Sequence, residues 1–227
     1  MNHRHASSAL ACAALLLAVA LTGCSLTPPG PQFTTYDLGP AGTAATAATA
    51  ATTPRADAAP LPKLRIAQTE GPAWMEGSAL YYRLQYSQAQ RLQAYATQRW
   101  VMSPPQLFDG RLREAVAARG ALTWSGDTMQ PAMKVDLLSF EQVFDSATAS
   151  RGVVRVRVTV YHHGLIGQRT FIADQPAPSA DGAGGVRALA DSTNAVIAAI
   201  LEWVSTLPMD RTAAPATSHA PSAPVAR

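Results

Sequence analysis

Between residues 153 and 161 hydrophobic and polar positions alternate, with Val154, Val156, Val158 and Val160 in one phase and Arg155, Arg157 and Thr159 in the other. A period of two puts the valines on the buried face of a strand and leaves the opposite face wet. His162, His163 and Gly164 then turn the chain into residues 166–173 (IGQRTFIA), which predicts an antiparallel hairpin. Residues 133–144 (MKVDLLSFEQVF) also alternate, but Leu137 and Leu138 break the phase, as a β-bulge would. Shorter patterns predict strands over residues 63–68, with Leu64 and Ile66 inward, and 79–86, with Leu80, Tyr82, Leu84 and Tyr86 on one face. Residues 91–102 give a less regular strand that reaches Trp100, and 33–38 (FTTYDL) a short first strand.

The period changes at Ser103, Pro104 and Pro105. A serine followed by proline starts a helix well, because the hydroxyl caps free amides and proline needs no donor in the first turn. Leu107, Phe108, Leu112, Ala115 and Val116 recur at helical spacing before Gly120, predicting a helix over 104–119. A second apolar stripe (Val186, Leu189, Ala190, Thr193, Ile197, Ile200, Leu201, Val204) predicts a helix over 186–206, with 183–185 as a flexible lead-in and Pro208 behind it. The elements describe an α+β fold: a two-layer sandwich of a mostly antiparallel sheet with two main helices on one face. The body is expected over residues 61–207, followed by a disordered tail, 208–227.

Composition alters the picture mainly at the N-terminus. Residues 9–21 (ALACAALLLAVAL) follow His3, Arg4 and His5 and fall short of the roughly 20 apolar residues a spanning helix needs. They read as a secretory signal, residues 1–23. Leu21, Thr22, Gly23 and Cys24 resemble the lipobox of bacterial lipoproteins, which implies cleavage between Gly23 and Cys24 and a covalent lipid on Cys24. Cys12 leaves with the signal, and acylation removes the one thiol that an oxidising compartment would otherwise receive. Ser25, where inner-membrane lipoproteins often carry Asp, implies an outer-membrane destination facing the periplasm. Residues 24–60 then form a tether, Pro-rich at first and almost entirely Ala, Thr, Pro and Gly after Leu38.

The formal charge is +3, and all but Lys63 and Lys134 of the 18 basic residues are scattered arginines, which gives nucleic-acid binding no basis. No Gly-x-Ser-x-Gly elbow, phosphate loop or His-Glu-x-x-His helix is present, so no catalytic residue, metal site or cofactor is expected beyond the lipid on Cys24. His162 and His163 are adjacent, but neighbours along a strand point to opposite faces and no third ligand is near in sequence. Asp136, Glu141 and Asp145 carry the alternative of a two-carboxylate hydrolase. Carboxylates on the wet side of a strand are also what any solvated sheet displays. Trp74 and Met75, in the Gly/Pro loop 70–77, suggest contact with a partner or with lipid, or else a loop folded back over the sheet edge.

The lipobox, residues 73–84 (AWMEGSALYYRL), 99–116 (RWVMSPPQLFDGRLREAV) and 137–145 (LLSFEQVFD), and a closing helix with Trp203, together resemble the auxiliary lipoproteins of ABC-type transport systems. These include the PqiC-like outer-membrane lipoproteins that accompany MCE-domain lipid transporters. The resemblance covers residues 33–206 and is most specific from Trp100 to Pro105. It implies a non-catalytic protein that docks an MCE-domain periplasmic protein and its inner-membrane permease and ATPase, with room for a homo-oligomer. Under that reading Trp74, Met75 and Trp100 are the residues expected at the partner contact. The Ala/Thr segment after Leu38 departs from the pattern and bears on whether the first strand joins the sheet. A structural envelope lipoprotein without a transporter, or a periplasmic hydrolase, are the rival readings.

Overall fold

The computed structural model describes residues 32–40 and 61–209. The expected signal, the cleavage site at Gly23 and Cys24, most of the tether and nearly all of the tail lie outside the described residues. The strands are β1 (Thr34–Tyr36), β2 (Arg65–Ile66), β3 (Ala79–Leu84), β4 (Leu92–Trp100), β5 (Ala132–Phe144), β6 (Ser150–Tyr161) and β7 (Leu165–Pro176). Helix α1 (Pro104–Ala118) follows β4, α2 (Gly182–Ser205) follows β7, and a single 3-10 turn covers Ala73–Met75.

The strands form one sheet in the order β1-β4-β3-β5-β6-β7, with β2 also paired to β5. The two long ladders, β5 with β6 and β6 with β7, are antiparallel, as is β3 with β4. The pairings of β1 with β4, β2 with β5 and β3 with β5 are parallel, so the sheet is mixed. The alternation in 133–144 and 153–161 decided the long hairpin, and the β5 register slips between Leu137 and Ser139, where the phase break stands in the sequence. Short strands carry too few residues to state their partner, so the parallel pairings could not be read. The first strand does join the sheet, at its edge, despite the long segment that follows it.

Both helices cover one face. Val154, Val156, Val158 and Val160 are buried there with Val135, Leu137 and Phe140 of β5; each such side chain contributes about 1.5–3 kcal/mol through its removal from water. Phe108, Leu112 and Val116 of α1 close the core from above, as do Leu189, Val196, Ile200 and Val204 of α2. Arg111 is buried among them. Its guanidinium donates to Asn194 Oδ1 at 3.1 Å, to Leu38 O at 3.1 Å and to Gly39 O. One cation thus ties both helices to the chain leaving β1, and the core reaches Leu38 and Met209 at its two ends.

Helix α1 matches its expected span and carries the capping box of Ser103 and Gln106. Helix α2 does not. It starts at Gly182, so the expected flexible lead-in 183–185 is its first turn. Asp181 is the N-cap, accepting from Gly184 N at 2.7 Å and from Ser179 Oγ at 2.9 Å. The glycines that suggested a loop are there for close approach: a Cβ on Gly185 would lie 2.1 Å from Gln142 Oε1. The Gly184 amide and Ser179 hydroxyl hold the Asp181 carboxyl below its usual range. A carboxylate stabilised by folding contributes fully above its unfolded pKa of about 3.9 and loses that contribution as pH falls through its lower folded value. The Tm advantage of the protein over Asp181→Asn should therefore be larger at pH 7 than at pH 3, and equal advantages would remove the charge from the cap.

Candidate functional site

The wet face of the sheet carries every carboxylate that suggested hydrolysis, and each is engaged by a cation. Glu141 is gripped by Arg83, with Nη2 to Oε2 at 3.0 Å. Asp145 and Asp174 share Arg151, both at 3.0 Å. Asp136 lies 3.1 Å from Arg157 and 3.5 Å from Lys134, whose ammonium also meets Glu70 at 2.8 Å. Hydrogen bonding to Glu70, then the charge of Asp136, holds the Lys134 ammonium above its usual range. This is a lattice of cross-strand ion pairs, the ordinary way to solvate an open sheet face. Two-carboxylate hydrolysis needs instead a pair of carboxyl groups facing each other across a cleft.

His162 and His163 occupy the turn between β6 and β7 that the sequence places there, His163 with φ of 54°, and their rings lie 4.2 Å apart rather than on opposite faces as neighbours along a strand would. Among the described residues no group of three or more His, Cys, Asp or Glu side chains is placed to hold a metal.

A polar knot that the sequence did not announce sits where β4, β5 and the start of α2 meet. Tyr95 donates to Gln142 Oε1 at 2.8 Å, and Gln142 Nε2 donates to Ser150 Oγ at 2.8 Å and to Asp181 O at 3.0 Å. Burial, followed by the nearby Tyr82 and Asp181, pushes the Tyr95 phenol above its usual range, so it stays a neutral donor. The knot fixes the helix to the sheet. Glutamine in a strand is unremarkable in sequence, and only its complete burial marks it out.

Trp74, Met75 and Trp100, grouped in sequence as contact residues, part company. Met75 and Trp100 are core: Met75 is fully buried, and Trp100, 1% exposed, packs edge-on to Phe140 with ring centroids 5.5 Å apart. Neither side chain reaches a surface on which a partner could bind. Trp74 does, at 37% exposure, with its ring edge-on to Tyr81 and its carbonyl accepting from the Tyr81 hydroxyl at 2.9 Å. The 3-10 turn separates the neighbours, turning Met75 inward and Trp74 outward.

Among the described residues, two surfaces with exposed apolar groups bear on binding. The first is the corner between β4 and α1, where Val101 and Met102 are 53% and 43% exposed and Phe33, just before β1, is 39% exposed. The second is a cleft of about 370 Å³ between β7 and the end of α2, with Phe171 and Trp203 stacked edge-on at 5.6 Å and Arg169 and Glu202 at its rim. No helix among the described residues is long and apolar enough to cross a membrane.

A family model described as ABC-type transport auxiliary lipoprotein component matches residues 43–201. No curated protein matches the chain. Among solved structures, the crystal structure of a Xanthomonas campestris protein assigned to the family DUF330 superposes with a TM-score of 0.57 at 16% identity, over 63% of this chain and 86% of that one. Another, described only as an uncharacterized protein, gives 0.54 at 17% identity over 64% and 95% of the two chains. At such identities the likeness is one of fold.

Proposed function

The chain belongs to the ABC-type transport auxiliary lipoprotein component family, and from that premise we propose that it is a non-catalytic docking subunit held on the periplasmic side of the outer membrane by an acylated Cys24. Its partner would be an MCE-domain periplasmic protein that carries lipid, powered by an inner-membrane permease and ATPase. The family match over residues 43–201, joined to the Leu-Thr-Gly-Cys sequence ahead of it, carries this reading. The engaged carboxylates of the wet face support a binding role over a hydrolytic one. Two or three acyl chains, at about 0.8 kcal/mol per buried methylene, suffice to hold the domain at a membrane.

The anchor is tested by fractionation. Cys24→Ala should leave the outer membrane and accumulate as soluble protein or unprocessed precursor, and a processed variant still in the outer-membrane fraction would overturn it. The partner is tested by affinity purification of the lipidated protein from crosslinked envelopes. Recovery of an MCE protein with its permease or ATPase is the expected result. Recovery of outer-membrane or peptidoglycan components alone would replace the transport reading with a structural lipoprotein.

A further inference from the structure

We infer that the corner formed by Phe33, Trp74, Arg99, Val101 and Met102 is a membrane-contact surface, seated in the headgroup layer of the same membrane that holds the lipid. The inference rests on the Cys24 anchor proposed above. Its first support is local. Val101 and Met102 sit between two elements that end and begin abruptly, β4 at Trp100 and α1 at Pro104, so their side chains have no layer of structure to fold under. Val101 N donates to Tyr36 O at 2.8 Å, which carries β1 and Phe33 to the same place. The guanidinium carbon of Arg99 lies 3.1 Å from the centre of the Phe33 ring, holding that ring at the surface. Loop 71–77 borders the corner from the other side. A Cβ on Gly71 would lie 2.9 Å from Pro105 Cγ, and Ser78 O accepts from Trp100 N at 2.7 Å, so Trp74 belongs to the same rim.

Four large apolar side chains, each more than a third exposed, on neighbouring segments, with an arginine stacked on one of them, make an unusual piece of surface. It is the chemistry of an interfacial contact: aromatic rings at headgroup depth, aliphatic groups just below, and a cation for the lipid phosphate.

The second support is the length of chain. Phe33 follows Cys24 by nine residues, which span at most about 32 Å fully extended and about 28 Å as polyproline II. The acylated residue and Phe33 are thus at most about 32 Å apart, so the corner is joined to the anchor by a short run of chain, whereas the cleft at Trp203 follows it only after the whole domain.

The full-length, processed protein offers a clean test, because Cys12 is lost and Cys24 is acylated. Met102→Cys would carry the one reactive thiol, and Ile172→Cys, at an exposed position on β7, serves as control. Each is labelled with an environment-sensitive fluorophore and reconstituted into vesicles of phosphatidylethanolamine and phosphatidylglycerol. Position 102 should be quenched by headgroup-nitroxide lipid and be several-fold less open to aqueous iodide than position 172. Equal iodide quenching at both sites with no nitroxide effect, in protein that co-floats with the vesicles, would overturn the contact while leaving the anchor standing. Protein that fails to co-float would overturn the anchor, and the contact with it.

Discussion

Trp100→Ala is expected to cost the domain about 3–5 kcal/mol, the range for removing a buried tryptophan, and to show it as a large drop in the denaturation midpoint. The side chain is 1% exposed and meets Phe140 of β5 edge-on, so the cavity would open within the core on the sheet's covered face. Backbone relaxation cannot close it, because Trp100 N is bonded to Ser78 O and β4 is held between β1 and β3. Typical domains have only about 5–15 kcal/mol in total, so the variant should sit near the edge of folding. Trp74→Ala should behave in the opposite way, with stability changed by no more than about 1 kcal/mol, since it loses one edge-on ring contact at a half-open site. Association with vesicles or partner is where its effect should appear. A Trp100→Ala domain of unchanged midpoint would return Trp100 to the list of contact residues.

That contrast shows what the sequence could say. A tryptophan ahead of Ser-Pro-Pro is distinctive, but that says nothing of its exposure, because burial depends on strands that close over it from elsewhere in the chain. The strongly periodic segments behaved differently. Val154 to Val160 and the slip at Leu137 and Leu138 specify strand, face and bulge from local spacing alone, and the structure has all three. Ser103 with two prolines likewise specifies the start of α1. The start of α2 was illegible for a physical reason. Gly182, Gly184 and Gly185 have poor helix propensity and signal a loop, but Gln98 and Gln142 of the sheet and Ser179 ahead of the helix leave no room for a Cβ at the three positions, so tertiary packing overrides propensity. The parallel pairings, the Gln142 knot and the Arg111 bridge were out of reach for the same reason, since each joins residues far apart in the chain. Of the surface corner, only Trp74 stood out in sequence. Phe33, Arg99, Val101 and Met102 come together through the β1–β4 pairing, which no local pattern encodes.

Gly152→Ala brings the same principle to a measurement. Gly152 lies in β6 under α2, and a methyl group there would stand 2.4 Å from Leu189 N and 2.5 Å from the Ala188 carbonyl carbon. Those are backbone atoms of a helix, so no side chain can rotate away and α2 itself must lift. Lifting would strain the bond from Ser192 Oγ to Gly152 O, 2.6 Å, and through it the bond from Gln175 N to Ser192 Oγ, 3.0 Å, and would open the layer of Leu189, Val196 and Ile200. The expected loss is about 3 kcal/mol, the upper part of the overpacking range, or roughly 6–12 °C in Tm for a domain of this size. Gly110→Ala is the matched control. Gly110 is in α1, exposed, with no atom within 4 Å of where the methyl would go. Adding a methyl there removes only the conformational freedom that glycine keeps in the unfolded chain, and should raise stability by about 0.5–1 kcal/mol. The same chemical change should thus move the midpoint in opposite directions at the two positions. Equal shifts of one sign would mean that α2 does not bear on β6 at Gly152, and that the helix is held to the sheet by its apolar stripe alone.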